Sequence, residues 1–354
     1  MAVPTAVASA PAEAVAGGPA IVVRGLAKRY GGVVALDGLD LEVPTGSVFG
    51  FLGPNGAGKT TTLRLLTGLA HPTRGTATVA GIPVTAADGR LQRHIGYLDQ
   101  DPRFYGWMKG RELLEFVGRL HGLEGAALAR RVAEVLEIVG LGEAGRRAIG
   151  GYSGGMRQRL GIAQAMVNRP RVLFLDEPVS SLDPEGRRDI LEIIARLRGA
   201  ATVFMSTHIL NDVERVCDRV AILDHGRLVT ESAIDDLLER YARPIYTIDP
   251  EPGQRDAVER LTGALRGQPW VRDVRVEHGL VRLFVLDPAV AGPALLPLLA
   301  SAGVTLAGFE RARPSLEDVF LQLVANGGGP GVNPAGARPA VVAPPAANPP
   351  EAAR

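Results

Sequence analysis

The sequence predicts an α/β protein with a largely parallel sheet, followed by a second, smaller α+β domain. From about residue 20, short apolar runs typical of buried strands alternate with runs of helical spacing. This alternation is the order expected of a parallel α/β sheet. After Arg243 the pattern changes to strand, helix, strand, strand, helix and strand. We therefore place one domain at residues 20–242 and a second at 243–325.

The composition suits two folded domains between unstructured ends. Of the 354 residues, 46% are hydrophobic, which is enough for a core in each domain. Residues 1–19 and 326–354 are rich in Ala, Pro and Gly, so we expect disordered tails. The formal net charge is +1, which gives no electrostatic argument for a nucleic-acid partner.

Four apolar runs are the clearest predicted strands of the first domain. Each is bounded by turn-forming or polar residues, and they cover residues 48–52, 172–176, 202–206 and 220–223. The stretch between the first two contains leucines and valines at helical spacing from 101 to about 150. It predicts a helical insertion into the α/β core, a helical subdomain at about 101–168.

The second domain has the strand and helix order of a ferredoxin-like fold. We predict strands at 245–248, 271–276, 280–286 and 304–309, with helices at 255–265 and 289–302. The segment 288–309 carries no charge, but it contains three prolines and three glycines. It therefore predicts a short helix, a turn and a strand in a folded domain, and not a membrane span.

A glycine-rich segment lies between the first buried strand and a predicted helix. It matches G-x-x-x-x-G-K-[ST] and reads Gly53-Pro54-Asn55-Gly56-Ala57-Gly58-Lys59-Thr60. The glycines allow successive backbone N–H groups to face phosphate oxygens. Lys59 can reach the outer phosphates, and the Thr60 hydroxyl can bind Mg²⁺. The helix that continues through Thr61 adds an N-terminus that favours an anion. The segment predicts a nucleotide-phosphate site.

Two carboxylates end the second predicted strand, in the run Leu175-Asp176-Glu177-Pro178. In a parallel sheet this end lies beside the glycine-rich loop, where Asp176 can bind Mg²⁺ and Glu177 can orient or deprotonate a water molecule. An acidic turn before Pro178 is the simpler interpretation, and the upstream phosphate loop disfavours it.

Three further polar positions are weaker signals when each is taken alone. Ser153-Gly154-Gly155 precedes a helix and could bind an anion or simply cap the helix. His208 follows a predicted strand and could contact phosphate or play a structural role. Gln100 also follows a strand and could be an ordinary loop residue.

The order of these signals resembles the ATP-binding cassette (ABC) family over residues 20–242. The resemblance implies a P-loop NTPase fold that binds ATP and Mg²⁺ and hydrolyses ATP. It implies catalytic roles for Lys59, Gln100, Glu177 and His208, and metal binding by Thr60, Gln100 and Asp176. It also implies that Tyr30 stacks on adenine. Contacts with the ATP of a second copy are implied for Ser153, Gly154, Gly155 and Asp183.

The sequence departs from the family pattern at a few positions. The signature reads YSGGM where LSGGQ is usual, and Tyr152 and Met156 are the differing residues. Val179 and Ser181 stand in a segment whose common form is PTSGLD. The serine and glycines of the signature are kept, so we expect a working ATPase whose turnover depends on these substitutions.

The resemblance also implies partners and a location. ABC cassettes act as head-to-tail homodimers, with each ATP between the P-loop of one copy and the signature of the other. The segment from Phe104 to Met108 would face a separate permease, although packing within the helical insertion is the alternative. We expect the chain at the cytoplasmic face of the membrane, bound through that permease.

The C-terminal segment 314–321, PSLEDVFL, resembles the end of the extra domain of drug-exporter ATPase subunits. It favours export of drugs, lipids, polysaccharides or ions. An importer ATPase remains open, as does a soluble ABC ATPase without a transport role. A ribosome-acting ATPase is disfavoured because such proteins usually carry two cassettes in one chain, and this chain has one P-loop and one signature. A chromosome or DNA-repair ATPase is disfavoured because no long heptad region interrupts the cassette.

Overall fold

The computed structural model describes residues 18–180, 182–240, 245–277, 279–312 and 315–325. The predicted tails lie outside the described residues, apart from Gly18 and Pro19, and so do Ser181 and Pro314. The strands of the described residues are β1 (Pro19–Tyr30), β2 (Val33–Pro44), β3 (Val48–Leu52), β4 (Arg74–Val79), β5 (Ile82–Pro83), β6 (Ile95–Leu98), β7 (Val172–Asp176), β8 (Thr202–Thr207), β9 (Arg219–Asp224), β10 (Arg227–Ala233), β11 (Ile245–Pro250), β12 (Val271–Glu277), β13 (Leu280–Val285) and β14 (Leu306–Ala312).

The helices alternate with these strands through most of the described chain. They are α1 (Lys59–Leu66), α2 (Arg90–His94), α3 (Gly110–Leu120), α4 (Gly125–Ile138), α5 (Gly154–Met166), α6 (Pro184–Arg196), α7 (Leu210–Val216), α8 (Ile234–Arg240), α9 (Arg255–Arg266), α10 (Pro288–Ala302) and α11 (Leu316–Ala325). None of the helices in the described residues is both long and apolar enough to cross a membrane.

A six-stranded sheet forms the centre of the first domain, with the order β10-β9-β3-β8-β7-β6. Its strands are parallel from β9 to β6, and β10 pairs with β9 in the antiparallel direction. The register places Leu52 beside Thr207 and Asp176 beside Ser206. The carboxyl ends of β3, β8 and β7 therefore meet at one edge, where ligands bind in sheets of this class. The predicted α/β class is confirmed.

The two faces of this sheet pack against different layers. One face carries Phe49, Phe51, Phe174 and Phe204, whose rings lie 5.1–5.7 Å apart around Phe204, together with apolar residues of α1 and the N-terminal strands. The other face packs against α3–α7. Because both faces are covered, its central strands are buried along their whole length.

The N-terminal strands form a separate antiparallel sheet, with the order β2-β1-β4-β5. The sequence analysis did not predict this sheet. Exposed and buried residues alternate along β2, and bulges interrupt the pairing of β1 with β2. Such half-buried, bulged strands give a weaker sequence signal than the apolar runs of the central sheet.

Between β6 and β7 lie α3, α4 and α5, as the predicted helical insertion requires. Their apolar residues join the cluster on the second face of the central sheet. The insertion is therefore packed onto the sheet as part of the same core.

Strands β11–β14 form the predicted antiparallel sheet of the C-terminal region, with the order β12-β13-β11-β14. The connectivity is βαββαβ, with α9 and α10 packed on one face of the sheet around their own apolar cluster. The fold prediction for this region is confirmed.

The last helix, α11, joins the C-terminal sheet to the first domain. Its Leu316 and Val319 are buried in the cluster that contains α7 and α8 residues. The backbone N–H of Leu316 donates to a carboxylate oxygen of Glu214 on α7 at 3.0 Å. Asp318 accepts a hydrogen bond from Arg282 of β13 at 2.8 Å. Helix α11 thus contacts both parts of the chain.

Candidate active site

The glycine-rich loop between β3 and α1 depends on close backbone packing. A Cβ atom at Gly53 would lie 2.4 Å from the Leu223 carbonyl oxygen, and one at Gly58 would lie 2.6 Å from that of Ala35. Gly58 also has a φ of +107°, which L side chains rarely adopt. The sequence therefore fixes a tight loop that begins helix α1 at Lys59 and leaves Pro54, Asn55 and Gly56 exposed.

Lys59 is buried at the start of α1, and its ammonium group points back into this loop. Its Nζ donates to the carbonyl oxygens of Gly53 at 2.7 Å and Pro54 at 3.2 Å. It also lies 3.3 Å from Oε1 of Glu177. A buried cation beside a helix N-terminus makes this loop electrostatically suited to phosphate.

Asp176 ends β7 in a fully buried position. Its Oδ1 accepts a hydrogen bond from the Ser206 hydroxyl at 2.5 Å, and its Oδ2 is buried without a hydrogen-bond partner. Burial raises the pKa of this carboxyl, and the hydrogen bond from Ser206 and the nearby Thr60 hydroxyl oppose the rise. A buried carboxylate oxygen without a partner, close to a threonine hydroxyl, fits the oxygen ligands that Mg²⁺ prefers.

Glu177 follows directly, and its backbone is strained. Its φ is +46°, an uncommon value for a residue with a side chain. Its N–H donates to the Ser206 hydroxyl at 3.0 Å, and its Oε2 lies 2.9 Å from Nδ1 of His208. The turn therefore aims the Glu177 carboxylate at both Lys59 and His208.

Ser206 is a residue of this site that the sequence analysis missed. It lies opposite Asp176 in the pairing of β7 with β8 and bonds to both acidic residues. A serine near the end of an apolar strand has no local signature. Only the strand register, together with the carboxylates it faces, could have identified it.

The other predicted site residues form no hydrogen bond or ion pair with this cluster in the described part of the chain. Tyr30 is exposed at the end of β1, with the Lys28 ammonium 4.8 Å from its ring centroid. Gln100 and Thr61 are exposed and half-buried respectively. Ser153 and Asp183 cap α5 and α6, each accepting a backbone N–H bond, at 3.2 Å and 2.9 Å.

Both helix caps leave a helix N-terminus at the protein surface. Ser153 and Gly154 are exposed, and Gly155 is half-buried beside them. The described residues show no hydrogen bond or ion pair between this group and Lys59. The N-termini of α1 and α5 are thus separate anion-favouring groups of the described chain.

The comparisons with known proteins agree with this geometry. The ABC transporter family pattern matches residues 36–180, and that of the C-terminal domain of DrrA1-3-like ATP-binding proteins matches 233–324. An uncharacterized ABC transporter ATP-binding protein of Bacillus subtilis, YxlF, is 40% identical over 303 residues, or 85% of this chain and 98% of that protein. The chain belongs to the ABC transporter ATP-binding family.

Two further similar proteins show a drug-resistance subunit and a dimeric cassette among the relatives of this ABC ATPase. The daunorubicin/doxorubicin resistance ATP-binding protein DrrA of Streptomyces peucetius is 38% identical over 87% of this chain and 93% of its own length. A dimeric bacterial ABC transporter cassette has a TM-score of 0.56 at 25% identity, covering 60% of this chain and 98% of that one. The predicted family, fold and ATPase activity are therefore confirmed.

Proposed function

We propose that this ABC ATPase works as a homodimer that drives export through a separate membrane permease. The carrying observation is the cluster in which Lys59 and His208 both contact the Glu177 carboxylate, at 3.3 Å and 2.9 Å. It supplies a phosphate-binding cation and a water-orienting base at the mouth of one loop. The exposed helix N-terminus behind Ser153 supplies a second anion contact, which suits a partner copy.

The hydrolysis step follows from these positions. In the proposed complex Lys59 and the loop amides hold the β and γ phosphates, so that Oε1 of Glu177 can accept a hydrogen bond from the attacking water. Nδ1 of His208 holds the other oxygen, Oε2, and fixes the carboxylate plane. Thr60 and Asp176 would hold Mg²⁺, with Gln100 reaching it from the loop after β6, and the ion would neutralise phosphate charge.

The proposal of a shared site rests on the separation of the two anion-favouring helices. The surface of the chain carries Ser153, Gly154, Gly155 and Asp183. In the described residues none of them forms a hydrogen bond or ion pair with Lys59. In a head-to-tail dimer, these residues of one copy would reach the phosphates bound by the Lys59 loop of the other copy. Tyr30 would stack on the adenine of ATP. The dimeric cassette among the structural relatives supports this arrangement.

The proposal of export rests on the C-terminal region and the drug-resistance relatives. The C-terminal family pattern covers 233–324, and DrrA of Streptomyces peucetius is named for resistance to daunorubicin and doxorubicin. We infer an amphipathic or apolar substrate that a permease, and not this chain, recognises. The chain would then sit at the cytoplasmic face of the membrane through that permease.

Glu177→Gln tests the catalytic core of this proposal. Glutamine keeps the size of the side chain but cannot accept a proton, so we expect kcat to fall by about 10²- to 10³-fold with ATP binding retained. ATP should then hold the variant as a dimer in size-exclusion chromatography. Glu192→Gln, at an exposed carboxylate of α6, is the matched control. An unchanged hydrolysis rate in Glu177→Gln would refute the role of Glu177.

A further inference from the structure

Tyr152 occupies a buried site directly before the Ser153 cap of α5. Its side chain is 4% exposed, and its hydroxyl donates to the Ala144 carbonyl oxygen at 2.6 Å. Burial raises the pKa of this phenol, so it stays a hydrogen-bond donor at neutral pH. The ring belongs to the same apolar cluster as α3 and α4. The residue before the cap is therefore held by both packing and a hydrogen bond.

The phenol also fits closely against the first residue of α3. A Cβ atom at Gly110 would lie 2.5 Å from the Tyr152 hydroxyl oxygen, well inside contact distance. Since the hydroxyl is held by Ala144, it cannot move away without losing that bond. Gly110 and Tyr152 thus form a matched pair in which the small residue accommodates the large one.

Hydrogen bonds hold the backbone on both sides of Tyr152. On one side, Arg157 of α5 donates to the Tyr152 carbonyl oxygen at 2.8 Å. On the other, the N–H groups of Ile149 and Gly150 donate to Met108 and Gly106, at 2.9 Å and 2.8 Å. The approach to Ser153 is therefore bonded to the segment that precedes α3.

We propose that Tyr152 is a positioning residue, whose fit against Gly110 and bond to Ala144 set where Ser153 and the N-terminus of α5 meet the second copy's ATP. This inference rests on the proposed function, in which that N-terminus completes the partner's site. Displacing Tyr152 would move the donors of α5 without touching the Lys59 loop. It would slow closure around ATP and leave ATP binding to the single chain intact.

Tyr152→Phe removes the hydroxyl and keeps the ring. We expect kcat to fall about five-fold, since one net hydrogen bond is lost and the cap becomes less well fixed. The dissociation constant of a fluorescent ATP analogue for the dilute monomer should not change. The ATP-held dimer of Tyr152→Phe/Glu177→Gln should dissociate faster than that of Glu177→Gln alone. The inference would be overturned if Tyr152→Phe had the kcat of the parent chain and if its ATP-held dimer, in the Glu177→Gln background, dissociated at the same rate as that of Glu177→Gln alone.

Gly110→Ala provides an independent test of the matched pair. Its methyl group should displace Tyr152 and lower kcat by at least as much as Tyr152→Phe. In a Tyr152→Leu background the clash is absent, so adding Gly110→Ala should lower kcat no further. If Gly110→Ala lowers kcat equally in both backgrounds, the inference is overturned, because the loss would then come from a change in helix α3 and not from contact with Tyr152.

Ser153→Ala separates this inference from the proposed function. If Ser153→Ala leaves kcat and the ATP-held dimer unchanged, the shared site itself is wrong. If Ser153→Ala lowers both while Tyr152→Phe lowers neither, the shared site stands and the positioning role of Tyr152 fails. A parallel loss of melting temperature and monomer ATP affinity in Tyr152→Phe would also contradict the positioning role.

Discussion

Ser206 connects the two acidic residues at the end of β7 through a single hydroxyl. It donates to Oδ1 of Asp176 and accepts the N–H of Glu177, at 2.5 Å and 3.0 Å. This one side chain therefore orients a carboxylate proposed to bind metal and a backbone proposed to place the base. Its effect on catalysis should be indirect, through the positions of these neighbours.

Ser206→Ala should lower both stability and kcat. The Asp176 oxygen loses its donor in a buried site, so we expect the free energy of unfolding to fall by about 1–2 kcal/mol. A looser Glu177 should lower kcat by roughly ten-fold, following the sensitivity of catalysis to small misplacements. Urea unfolding and steady-state ATPase assays measure the two effects. Ser232→Ala, at a buried serine of β10, should leave kcat unchanged, and equal kcat in both variants would contradict the role of Ser206.

Motif spacing predicted Lys59, Asp176, Glu177 and His208 because each follows a recognisable strand or loop, and the parallel sheet brings such strand ends together. The contacts of Lys59 and His208 with Glu177 support the proposed roles of these three residues. Asp176 is connected to Glu177 through Ser206. The roles of all the predicted site residues stay predictions. Those of Ser153 and Asp183 concern a site shared by two copies, which a single chain does not contain. Ser206 could not be predicted, since its part depends on register alone.

Among the secondary-structure elements, α11 contacts both the C-terminal sheet and the first domain. Asp318 lies 2% exposed and accepts from Arg282, from the Ser315 hydroxyl and from the Ser315 N–H, at 2.8, 2.8 and 2.9 Å. Glu214 of α7 binds the first N–H of the same helix. Since α7 begins two residues after His208, α11 holds the helix next to the candidate active site.

Asp318→Asn should weaken the attachment of α11. It removes the charge of a buried carboxylate, and the half-buried Arg282 keeps only its longer ion pair with Glu277, at 3.8 Å. We therefore expect a loss of about 2 kcal/mol in the free energy of unfolding. Limited proteolysis should then cleave near α11 earlier than in the parent chain. Asp273→Asn removes an exposed carboxylate paired with Arg275 and should cost less than about 1 kcal/mol. Similar losses in the two variants would contradict the attachment.

The strands that are apolar along their whole length could be predicted from the sequence, whereas strands that mix exposed and buried residues could not. The central strands are apolar along their length, so their positions were evident in the sequence. Strands β1 and β2 mix exposed and buried residues and contain bulges, so their pattern does not separate them from loops. The place of α11, packed on α7 and α8, depends on contacts about 100 residues apart in sequence.

At the scale of the whole molecule, an exposed aromatic pair marks the face proposed for the permease. Tyr105 and Trp107 are 67% and 75% exposed, and their ring centroids lie 5.9 Å apart. Phe104 and Met108 on either side pack against the helical layer. Large exposed aromatic side chains held on a packed segment are typical of binding hot spots.

Trp107→Ala should weaken binding to the permease and leave the isolated ATPase unaffected. Loss of an aromatic anchor at an interface commonly costs about 2 kcal/mol or more, which corresponds to a roughly 30-fold weaker complex. Co-purification of the tagged chain with membrane proteins of its source measures this. Leu69→Ala, at another exposed apolar side chain, is the control. Retained co-purification by Trp107→Ala would remove this face from the proposal.

The positive φ of Glu177 has a consequence for laboratory evolution of this enzyme. An unbranched carboxylate side chain is held where glycine or asparagine would sit with less strain. Selection for heat resistance alone would therefore favour replacing the residue on which turnover is proposed to depend. Thermostable variants should be collected under simultaneous selection for ATP turnover, so that this position is kept.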